Sequence, residues 1–146
     1  MNSKDKLSFG YAYRSTWQVI NKMYSEEAQK NGSSMNIGFV LISIDYNNGT
    51  PSTFLGPKMG IEANSLSRTL NKMEDLDLIY RDKNPEDGRS VLIKLTSKGK
   101  KEREIAKQIV LKFNQTVKDN LTVEQVKSFM DVTEKIHQLI EQKLIF

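Results

Sequence analysis

No cysteine occurs among the 146 residues. That excludes disulfides, Cys-ligated zinc and thiol-based redox sensing in this chain. Histidine is almost as scarce, with His137 alone. A zinc site needs several His or carboxylate ligands together, so metal sensing is not expected. Triad chemistry needs a His held by an acid beside a nucleophile, and the one His falls amid apolar positions late in the chain. No Gly-rich phosphate loop is present either. Catalysis is therefore not expected, and no cofactor or metal is implied. The sequence has no 18-residue apolar run and no basic-then-apolar amino terminus. Neither a membrane span nor a signal peptide is expected, and the chain reads as cytoplasmic.

What is present is a globular composition, 38% hydrophobic and 27% charged. The length suits one domain, or a binding lobe joined to an oligomerisation lobe. The net charge is +4, and its location matters more than its size. Residues 50–103 hold 11 basic and 8 acidic side chains, against 11 and 10 in the remainder. An excess there would favour phosphate contact, although three charges also suit an ordinary solvated surface.

The apolar spacing predicts a mainly helical chain with one β-hairpin. Phe9, Tyr13, Trp17, Ile20, Tyr24 and Ala28 recur at steps of three and four, one face of a helix over residues 4–30. Asn31-Gly32 stops it, and Ser33 and Ser34 offer the next N-cap. Residues 37–44 are apolar nearly all round, as in a buried helix, and Asn47-Asn48-Gly49 is a turn. Thr50-Pro51 reads as N-cap and first helical residue of a third helix, cut short by Gly56-Pro57. Gly60 supplies a turn and Ile61 returns to the core.

A fourth helix over 63–76 buries Leu66, Leu70 and Met73. Asn64, Ser65, Arg68, Asn71 and Lys72 fall on the other side, where amide, hydroxyl and basic groups could reach base edges and phosphates. The plainer alternative is a solvated polar face. Strands over 78–83 and 90–95 follow, joined by Asn84-Pro85-Glu86-Asp87-Gly88-Arg89. Val91, Ile93 and Leu95 alternate with more polar positions, as in a half-buried strand. Asp87-Gly88 suits the positive φ angles of a tight reversal and leaves Arg89 beside the tip. Arg89 could grip DNA there, or simply pair with Asp87 or Glu86.

Two helices complete the chain. One starts at Thr96 and carries Ile105, Ile109, Phe113 and Val117; the other opens on a capping box, Thr122 with Gln125. Its apolar face ends in Leu144-Ile145-Phe146, a terminus costly to leave in water on a monomer. Burial between two chains is expected, with intramolecular core the alternative.

A short helix, a turn, a second helix with a polar and basic face, and a hairpin with an arginine at its tip make a winged helix-turn-helix. Residues 61–99 resemble the recognition helix and wing of the MarR family of bacterial transcription regulators. Asp87-Gly88-Arg89 is similar to that family's Asp-x-Arg wing signature, and Ile93-Lys94-Leu95-Thr96-Ser97-Lys98-Gly99 to its exit from the wing. The resemblance implies a homodimer on double-stranded DNA, with residues 35–98 the DNA-binding lobe and 1–34 and 99–146 the dimerisation lobe. It implies that Asn64, Ser65, Ser67 and Arg68 face the major groove, with Lys72 in reach of phosphate. Arg89 would enter the minor groove, Asp87 would orient the wing, and Ser90 is grouped with them. It also implies repression relieved by a small molecule. Asp77 departs from the family, standing where Gly is usual, but Asp tolerates a left-handed turn.

For such an effector, Tyr13, Trp17, Phe39 and Tyr46, with Tyr11 and Tyr24, could line a pocket for an aromatic or phenolic compound. Aromatics at helical spacing also serve as plain core. A winged helix used only for protein contacts remains a separate reading, and salt-sensitive binding to duplex DNA would separate the two.

Overall fold

The computed structural model describes residues 8–146. Six helices and three short strands follow in the order α1 (Phe9–Lys30), α2 (Met35–Ser43), β1 (Thr50–Pro51), α3 (Ser52–Met59), α4 (Ala63–Asp75), β2 (Ile79–Lys83), β3 (Val91–Leu95), α5 (Ser97–Asp119) and α6 (Val123–Glu141). The architecture is mainly α with a small antiparallel sheet. Residues up to Ile109 form one compact unit and Val110–Phe146 a second, with α5 running through the boundary. The expected first helical turns before Ser8 lie outside the described residues.

Local chemistry explains most boundaries. The hydroxyl of Ser8 accepts the Tyr11 amide and starts α1. At the other end the Gly32 and Ser33 amides donate to the Gln29 and Ala28 carbonyls, a Schellman closure at the anticipated Asn31-Gly32 stop. Ser34 caps α2 by accepting the Ile37 amide. Thr122 and Gln125 cap α6 reciprocally, with N···O distances of 3.1 and 2.9 Å.

Two expectations fail between α2 and α4. Thr50-Pro51 does not open α3 as cap and first residue; it forms strand β1, with Thr50 opposite Ile93 and Pro51 opposite Leu92. The Thr50 hydroxyl turns back to accept the Asp45 amide at 2.9 Å, so it cannot cap a helix. Nor do Gly56-Pro57 end α3. Both lie inside it, because a proline this late removes only the bond to the Thr53 carbonyl. The helix closes instead at Gly60, whose φ of 65° is left-handed, while the Ile61 amide donates to the Gly56 carbonyl.

The sheet order is β1-β3-β2, with β3 in the middle. Ile79 pairs with Leu95, Arg81 with Ile93 and Lys83 with Val91. One face packs on the helices, so Ile79, Ile93 and Leu95 are buried, whereas Val91 near the tip is exposed. They join Ile37, Val40, Leu41 and Ile44 of α2, Leu55 of α3 and the α4 stripe in one core. That stripe is the expected trio, Leu66, Leu70 and Met73, each buried. Each such side chain contributes about 2 kcal/mol through removal from water. The core cluster is drawn from residues 37–95 alone.

In Val110–Phe146, α6 contains no buried residue. Phe129, Ile140, Leu144 and Phe146 each expose more than half their surface. Among the described residues no helix is long and apolar enough to cross a membrane.

Candidate nucleic-acid interface

Helix α4 owes its position to both ends. At its start the α3–α4 turn seats Ile61 against the core. At its finish Asp77 adopts φ 58°, the left-handed conformation usually given to glycine. The Asp77 and Leu78 amides then donate to the Glu74 and Met73 carbonyls, completing a Schellman closure without a glycine. The start of α5 holds the same corner. The Thr96 hydroxyl donates to the Asp77 carbonyl at 2.6 Å and accepts the Gly99 amide, while the Thr96 amide donates to the Leu78 carbonyl. The Lys98 ammonium reaches the Leu76 carbonyl at 2.8 Å, a cation at a helix C-terminus.

With Leu66, Leu70 and Met73 turned inward, Asn64, Ser67, Arg68 and Lys72 are exposed and Ser65 is half-buried. Among the described residues neither Arg68 nor Lys72 forms an ion pair with an acid. Asn71, read from the sequence as part of the same face, is committed elsewhere. Its amide oxygen accepts from Arg81 Nη2 of β2 at 2.9 Å, and Arg81 Nη1 binds the Glu74 carboxylate.

The wing is shaped by side chains, not by left-handed backbone. Among the described residues positive φ occurs at Gly32, Gly49, Gly60, Asp77 and Lys143, and neither Asp87 nor Gly88 is one of them. The expected positive-φ reversal is therefore replaced. The Asp87 carboxylate accepts the Arg89 amide at 2.9 Å, and the Asp87 carbonyl accepts the Ser90 amide. Asn84 braces the other side: its oxygen accepts the Glu86 amide and its nitrogen donates to the Ser90 hydroxyl at 2.8 Å. Ser90 is only 7% exposed, and its hydroxyl takes part in the wing's internal bracing. Arg89 is exposed and makes no ion pair with Asp87 or Glu86. Asn84 was not anticipated as a functional residue; the Asn-Pro step was its only signal. On the hairpin, Lys94 binds Asp82 at 3.1 Å and, with the Lys83 amide, holds that carboxyl below the ordinary aspartate range.

The aromatic candidates do not converge in the same way. Tyr13 and Trp17 of α1 are 37% and 48% exposed. Phe39 packs edge-on against Tyr24, ring centres 5.5 Å apart. Tyr46 lies beneath two cations of α5, with Lys100 Nζ 4.7 Å and Arg103 Cζ 5.7 Å from its ring centre. An apolar cavity between the end of α1, the start of α2 and α5 is lined by Ala28, Leu41, Ile105, Ala106 and Ile109 among others, and by none of these five aromatics. Among the described residues no group of three His, Asp or Glu side chains could hold a metal ion.

A helix-turn-helix whose second helix is polar and basic outward, followed by a hairpin with a free arginine at its tip, defines a winged helix-turn-helix protein. The MarR family's sequence model matches residues 34–91, from the cap of α2 to the start of β3. Over those residues, about two fifths of the chain, it is similar to the MarR family. It is 27% identical over 86 residues to the uncharacterized HTH-type transcriptional regulator YdgJ of Bacillus subtilis (strain 168), a match covering 59% of this chain and 52% of that protein. The chain thus aligns with about half the length of that relative. Its fold is similar to that of MepR in the S. aureus MepR–DNA complex, with TM-score 0.80, 19% identity, and 90% of this chain and 98% of that one covered. It is also similar to a mutant MarR from E. coli complexed with operator DNA, with TM-score 0.78, 22% identity, and 93% and 99% covered.

Proposed function

We propose that this protein is a sequence-specific DNA-binding transcription regulator that acts as a homodimer on an inverted-repeat operator. The observation that carries the reading is the set of exposed polar and basic side chains on α4 and on the wing. Asn64, Ser67, Arg68 and Lys72 stand outward on a helix pinned by its other face, and an unpaired Arg89 stands at the wing tip. A helix of this kind fits the major groove, where amide and guanidinium groups pair with purine edges; Arg89 suits the narrower adjacent groove. Both structural relatives named above were solved on DNA, which supports the same use here.

The dimer follows from the apolar side chains left on Val110–Phe146, because a monomer would keep Phe129, Ile140, Leu144 and Phe146 in water. Each chain then supplies one recognition helix, and linkage of two half-sites raises affinity without new contacts. Repression relieved by a small aromatic effector extends the reading; the apolar cavity beside Leu41, Ile105 and Ile109, about 30 Å³, would have to widen to admit one.

The test is binding to the DNA flanking the protein's own gene across a salt series. Affinity should fall linearly on a log–log plot, and a footprint should cover two half-sites whose centres lie about 10 bp apart. A single asymmetric half-site would refute the dimeric operator. Salt-independent or absent DNA binding would leave a winged helix that contacts protein only.

A further inference from the structure

We propose that Arg81 is a positioning residue that sets the direction of helix α4 relative to the wing, and that sequence discrimination depends on it. The inference rests on the DNA-binding reading above.

Arg81 lies on β2 opposite Ile93, a residue with no exposed surface, so its backbone is fixed by the sheet and the core. From that fixed point its guanidinium reaches back to α4. Nη2 donates to Asn71 Oδ1 at 2.9 Å and Nη1 binds Glu74 Oε2 at 2.5 Å. Asn71 and Glu74 are three residues apart, adjacent turns of one helix flank, and a rigid planar fork suits two such acceptors in a way an ammonium does not.

The pair is open to water, with side chains 33% and 44% exposed, so it adds little to stability. Its geometric effect is larger. The corner formed by Asp77, Leu78 and Thr96 holds the carboxy-terminal end of α4, and Leu66, Leu70 and Met73 hold its buried face. Apolar packing is non-directional and fixes the tilt and roll of a helix less closely than hydrogen bonds do; a tether on the exposed flank of its last turns adds that directional restraint. Arg81 supplies that tether, from the strand that also leads into the wing. The base-facing side chains of α4 and Arg89 of the wing are thereby held in one frame. Asn71, spent on this tether, is not available to read a base.

The experiment uses a duplex selected from a random library by the wild-type protein, and a scrambled duplex of the same length. Affinity for both is measured over a salt series for wild type, Arg81→Met, the pair Asn71→Ala with Glu74→Ala, and the charge exchange Arg81→Glu with Glu74→Arg. Arg81→Met should cut the selected-to-scrambled ratio about tenfold, the scale of one weakened base contact, while scrambled-duplex affinity and salt slope stay unchanged. The double alanine variant removes the acceptors from the other side and should reproduce this loss; the charge exchange should recover part of it. Equal weakening on both duplexes, with a salt slope lower by about 0.9, would make Arg81 a phosphate contact and overturn the proposal. An unchanged ratio in folded Arg81→Met and in the double alanine variant would overturn it as well. If the wild type itself selects no duplex, the DNA-binding reading fails first and the proposal with it.

Discussion

Gly99→Ala separates two physical accounts of this fold. Gly99 sits in the first turn of α5, where helix propensity and chain entropy both favour alanine, by about 0.4–1 kcal/mol. Packing gives the opposite sign. A Cβ at Gly99 would stand 1.9 Å from the Leu78 carbonyl oxygen and 2.9 Å from its carbon, and both are backbone atoms that no rotamer change can move. The start of α5 must then retreat from the end of α4. That retreat breaks the bonds from the Thr96 amide to Leu78 and from the Thr96 hydroxyl to Asp77. Two such bonds are worth about 1 kcal/mol each, and overpacking adds about 1–3 kcal/mol. Less the alanine gain, the expected loss is about 3 kcal/mol. Urea unfolding should show a lower midpoint at unchanged slope, and the thermal midpoint should fall by roughly 6–12 °C. Gly10→Ala in α1 is the control, since its nearest neighbour is Ser8 Oγ at 3.9 Å and it should be neutral or stabilising. A Gly99→Ala protein as stable as wild type would refute the packing argument.

Arg89→Ala should weaken DNA binding while leaving the unfolding midpoint within about 0.5 kcal/mol, because the side chain is exposed and unpaired; gel shifts and urea melts on one preparation decide it. Deleting residues 144–146, among them a fully exposed Phe146, should lower dimer stability first and DNA affinity in consequence, as read by sedimentation across concentration. Asp45 and Asp82 are both held below the ordinary aspartate range, Asp45 by the Asn48 and Asn47 amides and Asp82 chiefly by Lys94. The stability they contribute is therefore complete above a pH of about 3.9 and is lost as pH falls through their lowered values. Replacing both with Asn should flatten the acid limb of a stability–pH curve, and an unchanged limb would show that the carboxylates do not matter.

The parts of the fold legible in the sequence are those set within a few residues. The buried stripe of α4, the stop at Asn31-Gly32, the cap at Ser34 and the Thr122–Gln125 box each depend on neighbours one turn away, and each stands where expected. Asp77 takes the left-handed turn that its place after α4 required. What escaped is settled at longer range. Thr50-Pro51 has good helix-start chemistry, but its fate is decided by Ile93, more than forty residues away. The wing reversal looked like an Asp-Gly turn because local propensity cannot register Asn84 and Asp87 side chains bracing the loop. Among the site residues, Arg68, Lys72 and Arg89 are exposed as anticipated, whereas Ser90 and Asn71 are claimed by Asn84 and Arg81. Hydrogen-bond partners of that kind leave no periodic trace.

The side-chain bracing of the wing has a practical consequence. Because Gly88 needs no positive φ and a Cβ there would meet nothing within 4 Å, the tip tolerates a new side chain without rearrangement. The chain contains no other thiol. Gly88→Cys would therefore carry a single fluorophore next to Arg89. On the proposed function, the wing's arrival on DNA becomes an optical signal that can be timed separately from the docking of the helix.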